Sequence, residues 1–416
     1  MKVLWFEIST PSRYGSNNNE VTMGWQDALE NIVKTDTDID LFIAFESTKY
    51  TETKIIDGVT YIPLTTHYNF IERRKSYFTW DIKEKKIIPL AIKIINKIQP
   101  DIIHVFGNEW PFGLVAQYTK CPVVIHIQGS IVPYNNALYP PKYNGYTIFN
   151  TIKFKPRQIL RKIQEYHKAM AREKMERRIW KCVKFYMGRT EWDKAISHIM
   201  HPNCYYYHVD EALRPSFIDN TKFWEYKNEE TIKLITVGCS SFWKGMDNLL
   251  KTAVILKKLN INFEWKVIGD MTSVKNIIEK EEKTRFIDNN VQILGFLPAE
   301  KVKDLLLEST IYVHTAYIEN SPNSICEAQY LGVPIISTDV GGISTLVKNK
   351  EEGLLYPAND PFQLSYAIIQ LSKDPNKLKE FSLKGKIHAS MRHDGNKILN
   401  QLKNCYLSIL EEIHKG

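Results

Sequence analysis

Two glutamates stand eight positions apart, Glu319 and Glu327, within the stretch 311–342. Between them lies a helix-start signal. Ser321 is a capping residue, and Pro322 suits a first helical position, where its missing N–H has no intrahelical partner to lose. Eight residues of helix rise about 12 Å, close to the length of a nucleotide sugar from hexose to ribose. A helix N-terminus offers free N–H groups and a positive dipole end to a diphosphate. This one element could therefore supply an acid for sugar hydroxyls, a cradle for phosphate and an acid for ribose hydroxyls. The plain alternative is that Glu319 is a solvated loop residue and Glu327 a helix-surface residue.

Other residues fit the same chemistry. Lys244 lies in a loop, residues 239–245, that follows an apolar strand and opens a helix. A cation there can neutralise a diphosphate, although alone it would be an ordinary solvated lysine. Gly15 lies in the turn-rich loop 9–19 after the first strand, where a glycine lets phosphate or substrate approach the backbone. No G-x-G-x-x-G follows, so a dinucleotide site is not expected. His104 and His126 both fall near strand ends. His126 is the better candidate because the polar, glycine-bearing Gln128-Gly129-Ser130 follows it directly. Asp36-x-Asp38 has the form of a metal-holding pair, but it immediately precedes a strand and reads as a polar lead-in. No His/Cys/Asp cluster has convincing metal spacing, so no metal is expected.

Elements alternate along the whole chain. Apolar runs at 2–8, 41–45, 101–107, 122–127, 183–187, 232–238, 264–269, 291–295, 311–314 and 333–338 are separated by helical stretches. Such alternation predicts parallel sheets with crossover helices. Residues 54–62 read as a hairpin around Asp57-Gly58. The 416 residues are too many for a single core. The polar segment 218–230 places a boundary between a first domain, 1–217, and a second, 218–389. A C-terminal helix from about 390 to 416 is expected to pack back on the first domain. With 44% apolar and 25% charged residues the chain is globular rather than disordered.

Composition narrows the partners. The net charge of +8 is modest and no recognition module accompanies it, so nucleic acid is not expected. Basic residues crowd 151–184, however, from Lys153 and Lys155 to Lys181 and Lys184. Ile159, Ile163, Tyr166 and Met170 keep helical spacing among them. That segment could dock on anionic headgroups, or be an amphipathic helix with a solvated basic face. The six cysteines are scattered, without C-x-x-C spacing, and read as buried thiols. No run approaches the roughly 18 apolar residues of a membrane span, and the N-terminus lacks a signal-peptide pattern. A cytoplasmic protein, soluble or peripheral on the inner face of a membrane, is expected.

The ordered motifs of the second half resemble the family 4 glycosyltransferases. Gly238 with Lys244-Gly245 is similar to that family's phosphate loop, and residues 291–298 to the strand and turn beside the base. Glu319 and Glu327 match its paired glutamates, and residues 331–336, 339–342 and 352–355 continue in the family's order. Gly15, residues 104–107 and His126 match more loosely. The resemblance implies the GT-B fold, two Rossmann-like doubly wound domains facing a cleft. It implies a retaining, metal-independent hexosyltransferase that uses a nucleotide-sugar donor as substrate, with no cofactor.

Carried over residue by residue, the resemblance implies that Lys244 balances the leaving diphosphate and Glu319 holds sugar hydroxyls. Glu327 would bind ribose hydroxyls, and the backbone of Asn320, Ser321, Asn323 and Ser324 sugar and phosphate. Ser240 and Phe296 complete the donor set, beside phosphate and base. Gly15 would let the first-domain backbone approach the phosphate, and His126 would contact donor sugar or acceptor at the reacting carbon. The family often carries arginine after the glycine matching Gly238. Here Cys239 and Ser240 stand there, and Arg189 is a substitute candidate.

The expected function is transfer of sugar to a glycan or glycolipid acceptor in surface polysaccharide biosynthesis (capsule, O-antigen or exopolysaccharide), on a lipid-linked acceptor. A nucleotide-sugar 2-epimerase of the same fold, or an inactive glycan- or nucleotide-binding protein, are the alternatives.

Overall fold

The computed structural model describes residues 1–15, 24–76, 78–152 and 156–415. The rest of the expected phosphate-side loop, residues 16–19, and Lys153 and Lys155 of the basic stretch lie outside the described residues. The chain forms two compact units: residues 1–135, 157–212 and 393–416 make the first, and residues 136–156 and 213–392 the second.

The first unit is built on eight strands: β1 (Lys2–Glu7), β2 (Asp40–Ser47), β3 (Lys54–Ile56), β4 (Val59–Thr65), β5 (Ile102–Phe106), β6 (Val123–His126), β7 (Phe185–Gly188) and β8 (Tyr205–His208). Their order is β3-β4-β2-β1-β5-β6-β7-β8. All pairs are parallel except the hairpin β3–β4. Strands of such a sheet are covered on both faces, so they read as unbroken apolar runs. The period of two then divides each run between two cores. Val3, Trp5, Leu41, Ile43 and Phe45 face the C-terminal helix Gly395–Lys415 through Ile398, Leu402, Tyr406 and Ile409. Leu4, Phe6, Ala44, Ile103 and Val105 face the helix Asp81–Ile98 through Ile87, Ala91 and Ile95.

One hydroxyl joins these layers. Trp5 Nε1 donates to the Tyr406 hydroxyl at 3.0 Å, and the same hydroxyl lies 2.7 Å from His104 Nδ1. The indole is donor only, so the phenol donates its own proton to Nδ1 and the His104 proton sits on Nε2. Burial holds the His104 pKa down at about 3. His104 is thus a neutral packing residue. The Asp36-x-Asp38 pair is also structural: Lys403 donates to Asp36 at 2.7 Å and to Asp38 at 2.8 Å.

The second unit carries β9 (Ile232–Val237), β10 (Phe263–Ile268), β11 (Val291–Gly295), β12 (Ile311–His314), β13 (Ile335–Thr338) and β14 (Gly353–Tyr356). They run parallel in the order β11-β10-β9-β12-β13-β14. Residues 136–156, expected with the first domain, cluster here instead. The fully buried Tyr143 explains this: its hydroxyl donates to Glu282 at 2.9 Å and its ring lies 5.3 Å from Phe242.

Tyr406→Phe should leave the Trp5 N–H and His104 Nδ1 without a partner in the core. Urea unfolding should then show a loss of about 1–3 kcal/mol. An unchanged midpoint would remove the hydroxyl from the list of what holds this unit.

Candidate functional site

In an open parallel sheet, ligands meet the carboxyl ends of strands where the strand order reverses. The second unit reverses between β9 and β12, because the chain runs outward from β9 to β10 and β11 and then returns to β12. The loops after these two strands carry Lys244 and Glu319. Gly245 follows Lys244 at φ +71°, and a Cβ there would sit 1.8 Å from the Thr315 carbonyl oxygen. Only glycine lets the two loops approach so closely. Thr315 Oγ1 closes the junction by donating to the Lys244 carbonyl at 2.9 Å.

The Lys244 ammonium is bonded to the Glu319 carboxylate. Glu319 is 5% exposed. Burial alone would raise its pKa, but Lys244 and then His314 outweigh it and hold the carboxyl at about 2. His314 Nε2 lies 3.6 Å from Glu319, and Tyr312 contacts His314 Nδ1 at 3.1 Å while donating to Ser324 at 2.8 Å. Behind Glu319 the turn at Gly341 has φ +56°, and a Cβ there would meet the Glu319 carbonyl oxygen at 1.8 Å. Gly342 N–H donates to that same oxygen at 3.0 Å.

The helix begins later than the sequence suggested. It spans Asn323–Tyr330, with Pro322 in the capping position and no side chain capping it. Ser321 is therefore not the cap, and Pro322 is not the first helical residue. The proline's ψ of 116° is extended and cannot enter a helix. Only the second half of the interval from Glu319 to Glu327 is helical, so a continuous eight-residue rise does not describe it. The first backbone bond of the helix is Ile325 N–H to the Pro322 carbonyl at 2.9 Å. Asn323 and Ser324 precede it, at the positive end of the helix. Glu327 lies one turn in, buried, and both its oxygens accept from Arg214, at 2.7 and 2.8 Å. Sequence reading missed Arg214, His314 and Tyr312.

Among the remaining donor-side residues, Phe296 follows β11 and is 70% exposed, an open aromatic face. Ser240 is exposed, and its carbonyl accepts from Ser273 at 2.9 Å. Cys239 is buried, and burial pushes its thiol up to about 12. It is neutral and stands where the resemblance called for a cation.

The first unit reverses between β1 and β5. Gly15 closes the short helix Ser12–Gly15, where a plain loop was expected. A Cβ on it would meet Thr10 at 3.6 Å, an ordinary contact, so nothing among the described residues demands glycine there. His126 ends β6 and is fully buried, with its ring against Trp25 at 4.8 Å and His104 at 5.4 Å. Neither ring nitrogen has a hydrogen-bond partner among the described residues. Burial, with His104 and Arg189 nearby, holds its pKa well below the usual range. The loop after His126 is pinned: Glu176 accepts from Ile131 and Val132 N–H at 2.9 and 3.0 Å. Arg189 donates to the Gln128 carbonyl at 3.1 Å and lies 4.8 Å from the Trp25 ring. Arg189 is thereby tied to this loop.

A model of the family described as glycosyl transferases group 1 matches residues 218–388. That segment is a group 1 glycosyl transferase domain. The domain holds Lys244, Glu319 and Glu327. Among curated relatives, the amylovoran biosynthesis glycosyltransferase AmsK of Erwinia amylovora is 26% identical over 154 residues, 35% of this chain and 37% of that protein. The phosphatidylinositol N-acetylglucosaminyltransferase GPI3 subunit of Saccharomyces cerevisiae is 28% identical over 170 residues, 41% of this chain and 36% of that protein. The matches thus span little more than a third of those relatives' lengths. Similarity of structure runs further. Sucrose-phosphate synthase from Thermosynechococcus elongatus superposes with a TM-score of 0.72 at 14% identity, covering 99% of both chains. Anabaena Alr3699/HepE, solved with UDP and glucose, gives 0.64 at 15% identity over 98% of this chain and 100% of its own. At these identities the likeness establishes the fold, GT-B, with its two parallel-sheet α/β domains.

The Glu319 pKa predicts a pH dependence. Its folded value is below the unfolded one, so the unfolded chain takes up the extra proton as pH falls. The stability it contributes is present above about pH 4.5 and lost as pH drops toward 2. The difference in unfolding free energy between native protein and Glu319→Gln should shrink steadily over that window. A difference constant with pH would mean that Glu319 is not the ionised partner of Lys244.

Proposed function

We propose that this chain transfers a hexose, with retention of configuration, from a nucleotide-sugar donor to a hydroxyl of a glycan or glycolipid acceptor. We place the reaction in surface polysaccharide biosynthesis. The observation that carries the reading is the Lys244–Glu319 pair, at the strand-order reversal of a group 1 domain. The pair combines a cation for a diphosphate with an ionised acceptor for sugar hydroxyls. HepE, solved with UDP and glucose, supports a nucleotide-sugar donor. The relative AmsK supports a polysaccharide product.

In the proposed reaction the acceptor oxygen attacks the anomeric carbon on the face from which the diphosphate departs. The carbon–oxygen bond to phosphate breaks as the new glycosidic bond forms. The acceptor proton passes to the leaving phosphate oxygen. Lys244 neutralises the charge that develops there, the largest electrostatic demand of the step. Asn320, Ser321, Asn323 and Ser324 bring the helix start to sugar and phosphate, and Ser240 adds a hydroxyl beside them. Phe296 offers its open face to the base, and Glu327 receives the ribose. On the side of the first unit, the Gly15 backbone meets phosphate and His126, neutral, offers a hydrogen bond at the reacting carbon. No step calls on a metal or a cofactor.

Purified protein given a lipid-linked sugar acceptor and a panel of nucleotide sugars should release one nucleoside diphosphate, with chelator present or absent. The product should keep the donor's anomeric configuration by NMR. Lys244→Ala should lower kcat by roughly 10²–10³-fold. Inhibition by chelator would overturn the metal-independent mechanism. Conversion of the sugar nucleotide without acceptor would make the protein an epimerase instead.

We also place the protein against an anionic membrane on the cytoplasmic side, through the basic stretch 151–184. Among the described residues no helix is long and apolar enough to cross a membrane. The helix Pro156–Cys182 instead has two characters. Its end buries Met175, Ile179 and Trp180 in the first unit's core. Its start leaves Leu160, Ile163, Tyr166 and Met170 36–49% exposed. At 3.6 residues per turn these four fall within an arc of about 120°, on another side from the buried residues. Arg157 and Lys162 flank the arc. Apolar side chains beside cations match an anionic lipid surface, and the same charge opposes pairing with a second copy. The protein should sediment with phosphatidylglycerol vesicles, and much less with phosphatidylcholine vesicles. Leu160→Ser with Ile163→Ser should release it. Equal binding to both vesicles, or to neither, would overturn this placement.

A further inference from the structure

Arg214 is the second residue of the chain after it re-enters the second unit at Leu213. It pairs with a carboxylate 113 positions away. Its Nε and Nη2 donate to separate oxygens of Glu327, at 2.7 and 2.8 Å, in the parallel fork that only guanidinium makes. The arginine is itself held. Its guanidinium lies 5.0 Å from the Phe217 ring. Lys303 donates to the Ser216 carbonyl at 3.2 Å, and the Tyr330 hydroxyl donates to the Ile218 carbonyl at 3.3 Å. Tyr330 ends the helix that bears Glu327, so the two segments are tied twice.

Glu327 depends on this contact. It is 2% exposed. Burial raises its pKa and Arg214 opposes the rise. Among the described residues the Tyr312 phenol also acts on it, and burial keeps that phenol neutral. An ionised carboxylate has about four acceptor sites. The arginine fork takes two, in fixed directions, and leaves the others aimed by that fork.

We propose that Arg214 is a positioning residue: it fixes the orientation of the Glu327 carboxylate so that its remaining acceptor sites select the ribose hydroxyls of the donor nucleotide. The inference rests on the donor-site reading of Glu327 and names what makes that site selective. Lysine could not replace Arg214 without loss. It would keep the charge but hold the carboxylate at a single point.

The test compares ribose with its absence. Nucleoside diphosphates are screened for thermal stabilisation, because a ligand bound only to the folded state raises Tm. The best one is then titrated calorimetrically beside its 2′,3′-dideoxy form, from about pH 6 to about pH 8. Native protein should prefer the ribose form by roughly ten- to a hundred-fold, as expected for hydrogen bonds to a charged group, with little change over that range. In Arg214→Gln the preference should fall below about threefold, and affinity for the ribose form should drop as pH falls, because an unpaired Glu327 takes up a proton. Arg214→Lys should stay flat with pH yet lose preference. Adding Glu327→Gln to Arg214→Gln should cost no further preference, since the two act as one unit.

A merely structural arginine would lower Tm and leave both the preference and its pH response untouched. Full native preference in folded Arg214→Gln overturns the proposal, and if that variant does not fold, full preference in Arg214→Lys does so. Native protein that binds a nucleotide without preferring ribose overturns the ribose reading of Glu327, and this proposal with it.

Discussion

A carboxylate buried in a protein is costly unless a cation and hydrogen bonds meet it. Glu319 is such a group, and much of the second unit's carboxyl edge is arranged to meet its needs. The Lys244 ammonium must reach it, so the loop after β9 must lie against the end of β12. Gly245 makes that approach sterically possible, and Thr315 fastens it. The turn at Gly341 presses on the Glu319 carbonyl from behind, where any side chain would collide. His314, between Tyr312 and Glu319, closes the remaining side. Three strands, β9, β12 and β13, thus place their following loops to satisfy one charge.

Glu327 meets the same constraint with a different cation, and the difference matters. The lysine ammonium is a compact charge with three donors, on a stem that can turn to a new acceptor. It can bond Glu319 in the unliganded chain and a phosphate when donor is present. The arginine at Glu327 is a planar fork fixed on two oxygens. It is suited to hold a geometry rather than to exchange partners. In this reading the reacting end of the donor meets the exchangeable cation, and the recognition end meets a carboxylate whose cation stays. Cys239, buried and neutral, adds no charge to the first of these places. In the proposed transfer Lys244 therefore carries more of the phosphate's neutralisation than it would beside a second cation.

What was legible in the sequence follows the range of the interaction. Buried parallel strands announce themselves as apolar runs, because each residue of a run has a core to face, and β1 divides Val3 and Trp5 from Leu4 and Phe6 between two such cores. Glu319 and Glu327 were visible because their spacing is local. The start of their helix was misplaced by one residue: Ser321-Pro322 carries the usual cap and first-turn residue types, yet Pro322 is held extended at ψ 116°. Arg214 was invisible: no period relates residues 113 apart, and it stood before the expected boundary at 218–230, in the domain opposite Glu327. Residues 136–156 were assigned by chain order, whereas Tyr143 is held by Glu282, 139 positions on. Pairings of this kind exist only after the chain has folded.

The first unit buries two histidines on neighbouring strands. His104 and His126 end neighbouring strands with ring centroids 5.4 Å apart. Both are fully buried. Two buried imidazolium ions at that distance would repel strongly. Burial keeps both neutral, and the Tyr406 hydroxyl fixes the tautomer of His104. His126 has no such partner, and both its nitrogens await one. A buried ring with two unmet nitrogens is retained at a cost, and a hydrogen-bonding ligand is the natural way to relieve it. It can give or accept a hydrogen bond there, but it cannot supply a positive charge. In the proposed transfer the positive charge is therefore asked of Lys244 and not of His126.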